Sequence, residues 1–184
     1  MRELTADLFV SLDGFASGVD EPAYFGYFGS DLASCIRQHL DKPQLIIMGR
    51  VTYEALARFS AWASDEISSK MTTLPKVVCS STLQEPLAWK NTRLIRSVAD
   101  EIKALKRQSG DPLRSIGSIS LVKSLMKLGL IDCLRLMVFP VILGQTGKEP
   151  IYADYPRIPL ELMSTKVLDS QLILLEYRPA VRAR

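Results

Sequence analysis

The chain has 184 residues, of which 47% are hydrophobic and 23% charged, as expected of one domain with a substantial core. The net charge of +3 is matched by Arg178, Arg182 and Arg184 near the C-terminus, which are predicted to form a solvated tail. The remainder is near neutral, which argues against nucleic-acid binding. No apolar run reaches about 18 residues, which argues against a membrane-spanning helix.

The cysteines and the N-terminus bear on the cellular compartment. Cys35, Cys79 and Cys133 are far apart, and no pair has the spacing of metal ligands, so no metal site is predicted. The first residues lead directly into a strand-like segment and carry no signal-peptide pattern. The sequence therefore predicts a cytoplasmic protein with reduced thiols.

The first half of the chain alternates between strand and helix patterns. Runs of apolar and β-favouring residues predict strands over 4–12, 44–48, 76–80 and 92–96. Helical spacing predicts helices over 30–40, 50–58 and 98–108, with a further short helical piece at DEISSKM. Ser30 or Asp31 is the expected N-cap of the first helix. Residues 15–29, rich in glycine and aromatic side chains, are expected to form a loop.

The second half of the chain adds a strand–helix pair, a long strand and a hairpin. The pattern predicts a strand over 113–118, a helix over 118–128 and a long strand over 131–143. Pro140 in that strand indicates a kink or a place near a sheet edge. Strands over 160–168 and 171–178 are joined by the turn signal Asp169-Ser170, and 144–159 is expected to be irregular. The whole predicts one α/β domain over 1–184, with a mixed, mostly parallel sheet flanked by helices and an antiparallel C-terminal hairpin.

Four strand-to-helix junctions carry residues suited to ligand binding. They are Asp13-Gly14, Gly49-Arg50-Val51-Thr52, Ser80-Ser81-Thr82 and Gly117-Ser118-Ile119-Ser120. In open α/β sheets ligands bind beyond the carboxyl ends of the strands, where glycine allows close backbone approach and a helix start attracts phosphate. Arg50 adds charge, and hydroxyls add hydrogen bonds, with Thr52 as a cap. Together the junctions indicate a nucleotide with a pyrophosphate and a 2′-phosphate, although each alone also fits a simple helix N-cap.

Four longer segments of the chain resemble one family. SLDGFAS, IIMGRVTYE, VVCSSTL and IGSISLVKSLMKLGLIDCLRLMVFPVILG are similar to the dihydrofolate reductase-like superfamily. Within it, the chain most resembles the reductase (C-terminal) domain of the riboflavin-biosynthesis bifunctional deaminase/reductase. The resemblance extends over about residues 3–178. It implies NADPH as the cofactor, a mixed sheet flanked by helices, and a homodimer.

The resemblance also implies which residues bind the cofactor. Those implied for the adenosine side are Gly49, Arg50, Thr52, Ser80 and Ser81. Among them, Arg50 would lie near the 2′-phosphate. Those implied along the pyrophosphate and the nicotinamide are Gly117, Ser118, Ile119 and Leu121.

The substrate side is expected to include Asp13 and Gly14, close to the nicotinamide. Asp13 is the candidate catalytic residue, as a proton donor, with water as the alternative. Tyr24 and Phe25 would line a pocket for a flat substrate ring, or else plug the sheet or form a dimer contact.

The chain departs from the family pattern in several places. Gly117-Ser118 stands where two adjacent glycines are common, which a helical backbone at Ser118 would tolerate. The loop over 144–154 lacks the usual Gly-x-Gly, and the sequence has no deaminase zinc motif. It also has no helix carboxylate of the dihydrofolate reductase kind, since Asp31 fits a helix cap equally well. Dihydrofolate is therefore not the expected substrate, and the single histidine, His39, is expected at a helix end or surface.

Two functions follow as hypotheses. The first is an NADPH-dependent reductase of a small, heteroaromatic or sugar-linked substrate. The leading specific substrate is 5-amino-6-(5-phosphoribosylamino)uracil of riboflavin biosynthesis. The alternative is a non-catalytic NADP(H)-binding module or sensor on the same fold, suggested by the 144–154 loop and the missing carboxylate.

Overall fold

A computed structural model describes residues 1–63 and 65–180 of the chain. Of the three arginines predicted to form a tail, Arg182 and Arg184 lie outside the described residues. Arg178 lies in the last strand of the sheet, where its Nη1 is 3.2 Å from Oε2 of Glu161. That arginine is therefore part of the fold rather than of a tail.

Ten strands and five helices form in the described part of the chain. The strands are β1 (Leu4–Ser11), β2 (Phe15–Gly18), β3 (Leu45–Gly49), β4 (Lys76–Cys79), β5 (Thr92–Ile95), β6 (Leu113–Ile116), β7 (Cys133–Phe139), β8 (Gly147–Pro150), β9 (Leu160–Leu168) and β10 (Leu172–Pro179). The helices are α1 (Ser30–Leu40), α2 (Arg50–Trp62), α3 (Glu66–Thr73), α4 (Val98–Arg107) and α5 (Ile119–Lys127). Two short 3₁₀ turns lie at Ala23–Gly26 and Gly144–Thr146.

Eight of these strands form one sheet in the order β5-β4-β3-β6-β1-β7-β10-β9. In this order, each neighbouring pair from β5 across to β7 is parallel. The strand β10 runs antiparallel to both of its neighbours, β7 and β9. Asp169 and Ser170, with φ of 49° and 57°, form the turn of the C-terminal hairpin, as a primed two-residue turn requires. The predicted mixed, mostly parallel sheet with an antiparallel C-terminal hairpin is confirmed.

Three local predictions differ from the structure. β2 and β8 lie in segments predicted to be irregular, and they pair with each other as a separate two-stranded sheet. The predicted long strand is shorter, because β7 ends at Phe139 and Pro140, which follows it, has no N–H to donate to a ladder. β7 also lies between β1 and β10 rather than near an edge.

Helices cover both faces of the sheet. On one face, α4 and α5 pack against side chains of the central strands such as Leu8 and Ile47. On the other face, α1, α2 and α3 pack with strand side chains such as Met48 and Val78. Full burial of an aliphatic side chain of this size contributes roughly 1.5–3 kcal/mol. The two layers hold the parallel strands in register, which fixes where their carboxyl ends lie.

A row of charged side chains crosses the sheet beneath α1. Asp7, only 6% exposed, accepts hydrogen bonds from Arg114 and from Nη1 of Arg135 at 3.1 Å. Arg135 also donates to Glu176 at 2.8 Å, so each buried charge has an opposite partner. His39, in the last turn of α1, lies beside this row, and burial followed by the two arginines lowers its pKa to about 4. The imidazole is neutral at pH 7, and its place at a helix end agrees with the prediction for His39.

Candidate functional site

The junctions after β6, β3 and β4 meet at one edge of the sheet. These strands are adjacent and parallel. Gly49, at the end of β3, pairs in register with Cys79, at the end of β4. The residues that follow, predicted from the sequence to bind a nucleotide, therefore lie side by side at the carboxyl edge, where open α/β sheets bind ligands.

Ser118 joins two of these junctions. Its hydroxyl accepts a hydrogen bond from the N–H of Gly49 at 2.8 Å and donates one to Oγ1 of Thr52 at 2.7 Å. The predicted capping role of Thr52 is not what the structure shows, because Gly49 is the N-cap of α2 and no side chain caps that helix. Thr52 instead accepts the Ser118 hydroxyl, which fixes the start of α2 relative to the start of α5.

The backbone before α5 is left-handed at two consecutive residues. Gly117 has φ of 55°, and Ser118 has φ of 59° and ψ of 62°, so the helical backbone that would tolerate a side chain at Ser118 is not what the structure shows. A left-handed serine costs roughly 1–2 kcal/mol, which its two hydroxyl bonds offset. Among the described residues, the N–H groups of Ile119 and Ser120 have no hydrogen-bond acceptor. Successive N–H groups in such a turn form a concave anion-binding surface.

No backbone angle or contact within the described residues requires a glycine at position 49. Its φ of −83° is open to any residue. A Cβ built at this position would have its nearest contacts at 3.5 Å and 3.6 Å, both with Ser118, which is ordinary van der Waals contact. A ligand that comes close to the protein backbone at this edge would explain the glycine, because the absence of a side chain leaves room for the ligand.

The adenosine-side candidates are accessible but not all unpaired. Arg50 is 3.0 Å from Glu54 one turn along α2, with side chains 46% and 33% exposed, a pairing worth about 0.3–0.5 kcal/mol. The hydroxyl of Ser80 accepts the N–H of Leu83 at 3.0 Å and so shapes the loop after β4. Ser81 is exposed. An incoming phosphate could displace the weak Arg50 pairing without disturbing the fold.

Two of the predicted cofactor residues on α5 have side chains in or against the core. Leu121 is 5% exposed and belongs to the core cluster between the sheet, α4 and α5. Ile119 is partly buried against the same cluster. Their side chains hold α5 in place, and it is their backbone that lies at the junction.

Asp13, the candidate proton donor, is tied to the loop before β8. Its carboxylate accepts the Ser11 hydroxyl at 2.7 Å and the N–H groups of Leu143 at 3.2 Å and Gly144 at 2.8 Å. The bond from Ser11, followed by those from Gly144 and Leu143, lowers the pKa of Asp13. The carboxylate is therefore ionised at neutral pH, which does not favour proton donation and leaves water as the alternative.

Gly14 is covered by an aromatic ring that the sequence did not indicate. Gly14 is buried with φ of 91°, and a Cβ there would lie 2.9 Å from two ring carbons of Tyr152. The N–H of Ile151 donates to the carbonyl of Gly14 at 2.9 Å, which holds Tyr152 in place. A substrate at Gly14 would therefore meet the half-exposed ring of Tyr152, which lies in a segment with no motif of its own.

The aromatic residues 24 and 25 lie in a 3₁₀ turn over the sheet. Phe25 is 8% exposed, and its ring is 5.1 Å from that of Phe139 at the end of β7. Tyr24 is partly buried between Phe9 at 5.5 Å and Phe28 at 4.9 Å. The packing of Phe25 corresponds to the alternative of a plug over the sheet.

Comparison with known proteins gives the family. The family model described as the RibD C-terminal domain matches residues 2–174. The chain belongs to the RibD C-terminal domain family. It is 26% identical over 182 residues to the uncharacterized protein YyaP of Bacillus subtilis (strain 168), covering 96% of this chain and 94% of that protein. The resemblance drawn from the sequence is thus confirmed.

Solved structures share the fold of this RibD C-terminal domain. A putative riboflavin biosynthesis protein from Shewanella sp. PV-4 has a TM-score of 0.72 at 19% identity, covering 97% of this chain and 99% of that one. RibD of Acinetobacter baumannii has a TM-score of 0.71 at 19% identity, with 98% and 59% covered. A deaminase/5-amino-6-(5-phosphoribosylamino)uracil reductase from Thermotoga maritima has a TM-score of 0.66 at 12% identity, with 97% and 57% covered. The present chain therefore corresponds to somewhat more than half of the last two.

The start of α1 shows what Asp31 does in this family member. The carboxylate of Asp169, in the β9–β10 turn, accepts the N–H groups of Asp31 at 2.8 Å and Leu32 at 3.0 Å. The carboxylate of Asp31 in turn accepts the N–H of Asp169 at 3.0 Å. The predicted cap at Ser30 or Asp31 is wrong, because Gly29 is the N-cap and Asp169 supplies the carboxylate. The carboxylate of Asp31 therefore has a structural role, which agrees with the prediction that the chain lacks a proton-donating helix carboxylate.

Two cavities lie away from this edge. One is beneath α1, lined by Asp7, Cys35, His39 and Arg135 among others. The other is a groove at the amino ends of β3, β4 and β5. An extended dinucleotide lies along strand ends rather than in a closed cavity. The candidate binding site is therefore the edge with the junctions and not either cavity. Within residues 1–63 and 65–180, no helix has both the length and the apolar character needed to cross a membrane.

Proposed function

We propose that this RibD C-terminal domain is an NADPH-dependent oxidoreductase whose cofactor lies across the carboxyl ends of β6, β3 and β4. The observation that carries the proposal is the Ser118 hydroxyl, which binds both Gly49 and Thr52. It fixes two glycine-led helix starts against each other, so that the N–H groups of Ile119 and Ser120, which have no acceptor among the described residues, lie next to the start of α2. Helix starts of this kind bind phosphate, and the family membership supports a reductase-like role in the riboflavin pathway.

The residues at this edge have distinct parts in the proposed site. Gly49 leaves room for the pyrophosphate, and the N–H groups of Ile119 and Ser120 in the first turn of α5 bind it. Ser80 and Ser81 contact the adenosine side. Bound there, NADPH would supply the hydride for reduction of a polarised C=N or C=O bond. The chain contributes orientation and electrostatics, and the accompanying proton comes from water rather than from the ionised Asp13.

The substrate proposed is small and heteroaromatic or sugar-linked. The Thermotoga maritima neighbour carries 5-amino-6-(5-phosphoribosylamino)uracil reductase in its name, and that compound is the first to test. Tyr152 over Gly14 offers a half-exposed aromatic face against which a flat ring can pack.

The test has two parts. Fluorescence titration with NADPH is expected to give saturable binding on the order of tens of micromolar or tighter, a usual range for enzymes and their ligands. Loss of NADPH absorbance with the uracil compound, or with related aminopyrimidines, is expected to show turnover. Absence of NADPH binding would overturn the proposal.

A second candidate is a non-catalytic NADP(H)-binding module. The observation that favours it is that the Asp13 carboxylate is occupied by three donors and the Gly14 position by Tyr152. This candidate predicts cofactor binding without turnover. Hydride transfer to any compound of the panel would dismiss it.

We also propose a homodimer built through β9. This edge strand exposes apolar side chains on both faces, including Leu162 at 55%, Met163 at 45% and Val167 at 59%, a pattern that marks an interaction surface. Sedimentation is expected to give twice the 20.5 kDa chain mass, and Val167→Lys to shift the protein towards monomer. Lys166→Ala, on the same strand, is the control. A monomer at all concentrations would contradict the dimer; the cytoplasmic location stays a prediction.

A further inference from the structure

The end of β5 adds a charged residue to the edge described above. β5 is parallel to β4, and Ile95 at its end pairs in register with Cys79 at the end of β4. Ser80 and Arg96 therefore follow adjacent strands at the same edge. Because adjacent strands are about 4.8 Å apart, Arg96 lies one strand beyond the serine loop, on the side away from the pyrophosphate.

The guanidinium of Arg96 is held against that loop. Its Nη1 donates to the carbonyl of Ser80 at 3.0 Å, while the N–H of Ser80 donates to the carbonyl of Ile95 at 3.1 Å. The contact uses one of the five N–H donors of an arginine. The acceptor is neutral, so this contact leaves the guanidinium of Arg96 without an ion-pair partner at the place where the adenosine end of the cofactor is proposed to lie.

Arg50 and Arg96 differ in their charge partners. Arg50 is paired with Glu54 at 3.0 Å. Among the described residues, no ion pair involves Arg96. The two nearest acidic residues along the chain are engaged at the start of α4. Asp100 accepts the hydroxyl of Ser97 at 2.8 Å, and Glu101 accepts the backbone N–H groups of Arg96 at 3.0 Å and Ser97 at 3.2 Å. Of the two arginines, Arg96 is the one that an anion can reach without first displacing a carboxylate from an ion pair.

We propose that Arg96 binds the 2′-phosphate of the cofactor and sets the preference for NADPH over NADH, an inference that rests on the proposed function. The planar guanidinium presents parallel N–H groups that match a phosphate. The exposed Ser81 next to it adds a hydroxyl. This assignment differs from the one implied by the family resemblance, which placed Arg50 at the 2′-phosphate. Arg50 then contributes to the binding of both cofactors.

The test is the ratio of two dissociation constants, for NADPH and NADH, measured by fluorescence titration. Arg96→Ala is expected to weaken NADPH about 10- to 100-fold, the effect of losing hydrogen bonds to a charged group, and NADH by less than twofold. Arg96→Lys keeps the charge and is expected to fall between. Arg50→Ala is expected to weaken both cofactors alike. Arg93→Ala is the matched control, because Arg93 is an exposed arginine within β5, before the edge that Arg96 reaches, and it should change neither dissociation constant.

The outcomes separate this inference from the proposed function. If Arg96→Ala weakens both cofactors equally, Arg96 merely shapes the Ser80 loop, and the inference is overturned. It is also overturned if the wild type binds NADPH and NADH equally well, or if Arg50→Ala alone removes the preference; in each of these cases the proposed function stands. If the wild type binds neither nucleotide, both fail. Thermal melts of every variant confirm that the comparison is made on folded protein.

Discussion

The cofactor side and the substrate side of the candidate site are built in different ways. On the cofactor side, one hydroxyl from Ser118 joins two helix starts, and N–H groups at the start of α5 have no acceptor within the described residues. On the substrate side, the side chains already contact other parts of the chain. Asp13 accepts backbone N–H groups of a loop, and the ring of Tyr152 covers Gly14. The first side is ready to bind an anion, whereas the second holds the loops in place.

This difference predicts that substitutions on the two sides separate stability from ligand affinity. Substitutions on the substrate side are expected to lower the free energy of unfolding and to leave the NADPH dissociation constant nearly unchanged. Substitutions on the cofactor side are expected to weaken NADPH binding, and to lower the free energy of unfolding only where they also remove hydrogen bonds of the fold, as at Ser118. Four substitutions, at Phe25, Gly14, Ser118 and Asp13, test this division.

The largest effect is expected from Phe25→Ala. Removing a ring that is 8% exposed and packed on Phe139 is expected to lower the free energy of unfolding by about 3–5 kcal/mol, measured by urea denaturation. The NADPH dissociation constant of the folded fraction should stay within twofold. Phe28→Ala is the control, because its ring is 52% exposed, and it should cost much less. A stable Phe25→Ala variant that loses only substrate turnover would return Phe25 to the substrate pocket.

The next effect is expected from Gly14→Ala. The φ of 91° and the contact with Tyr152 at 2.9 Å should together lower the free energy of unfolding by roughly 1–3 kcal/mol. Gly129→Ala separates the two causes, since Gly129 has φ of 64° and no neighbour within 4 Å, so its loss reflects backbone strain alone. Equal losses in the two variants would show that Tyr152 does not constrain Gly14.

On the cofactor side, Ser118→Ala is expected to weaken NADPH binding about tenfold, because two hydroxyl hydrogen bonds worth about 0.5–1.5 kcal/mol each no longer fix the helix starts. Fluorescence titration measures the change. Ser124→Ala on the same helix is the control, since its hydroxyl donates only to Ser120 within α5, at 2.9 Å. Unchanged affinity in Ser118→Ala would show that the hydroxyl bonds to Gly49 and Thr52 do not shape the cofactor site.

The smallest effect on turnover is expected from Asp13→Asn, because water supplies the proton. Hydrogen bonds to the ionised form lower the pKa of Asp13 below its ordinary value of 3.8. The carboxylate therefore stabilises the fold above pH 3.8, and this contribution is lost as the pH falls through the lower pKa of the folded state. The stability difference between wild type and Asp13→Asn should thus be present at neutral pH and vanish in acid. A large loss of turnover at neutral pH would restore Asp13 as the proton donor.

The cofactor edge could be predicted from the sequence because its signals are local. An apolar run that ends in a glycine and continues into a helix, as at Gly49, reveals both the end of a strand and an accessible helix start. Parallel strand order then brings such ends to one edge. The sequence did not indicate the left-handed backbone at Ser118, because serine rarely adopts it and the hydroxyl bonds that stabilise it come from residues far along the chain.

The substrate side could not be predicted because its contacts join distant segments. Asp169 caps α1 from 138 positions away, and nothing in the local pattern of Ser30 or Asp31 indicates that partner. β8 has the sequence GKEP, whose residues are disfavoured in strands, so its pairing with β2 is visible only in three dimensions. The strands β2 and β8 come together because Asp13 and Gly14, just before β2, bond to the residues on either side of β8.

Amide chemical shifts can locate a nucleotide at the carboxyl edge of β3, β4 and β6. In a ¹⁵N NMR titration with NADPH, we expect the largest shifts at the N–H groups of 49–52, 80–81 and 117–121. The amides of 24 and 25, in the turn that forms the plug, should move little. The absence of shifts, or shifts concentrated at the groove formed by the amino ends of β3, β4 and β5, would show that the nucleotide does not bind at the carboxyl edge.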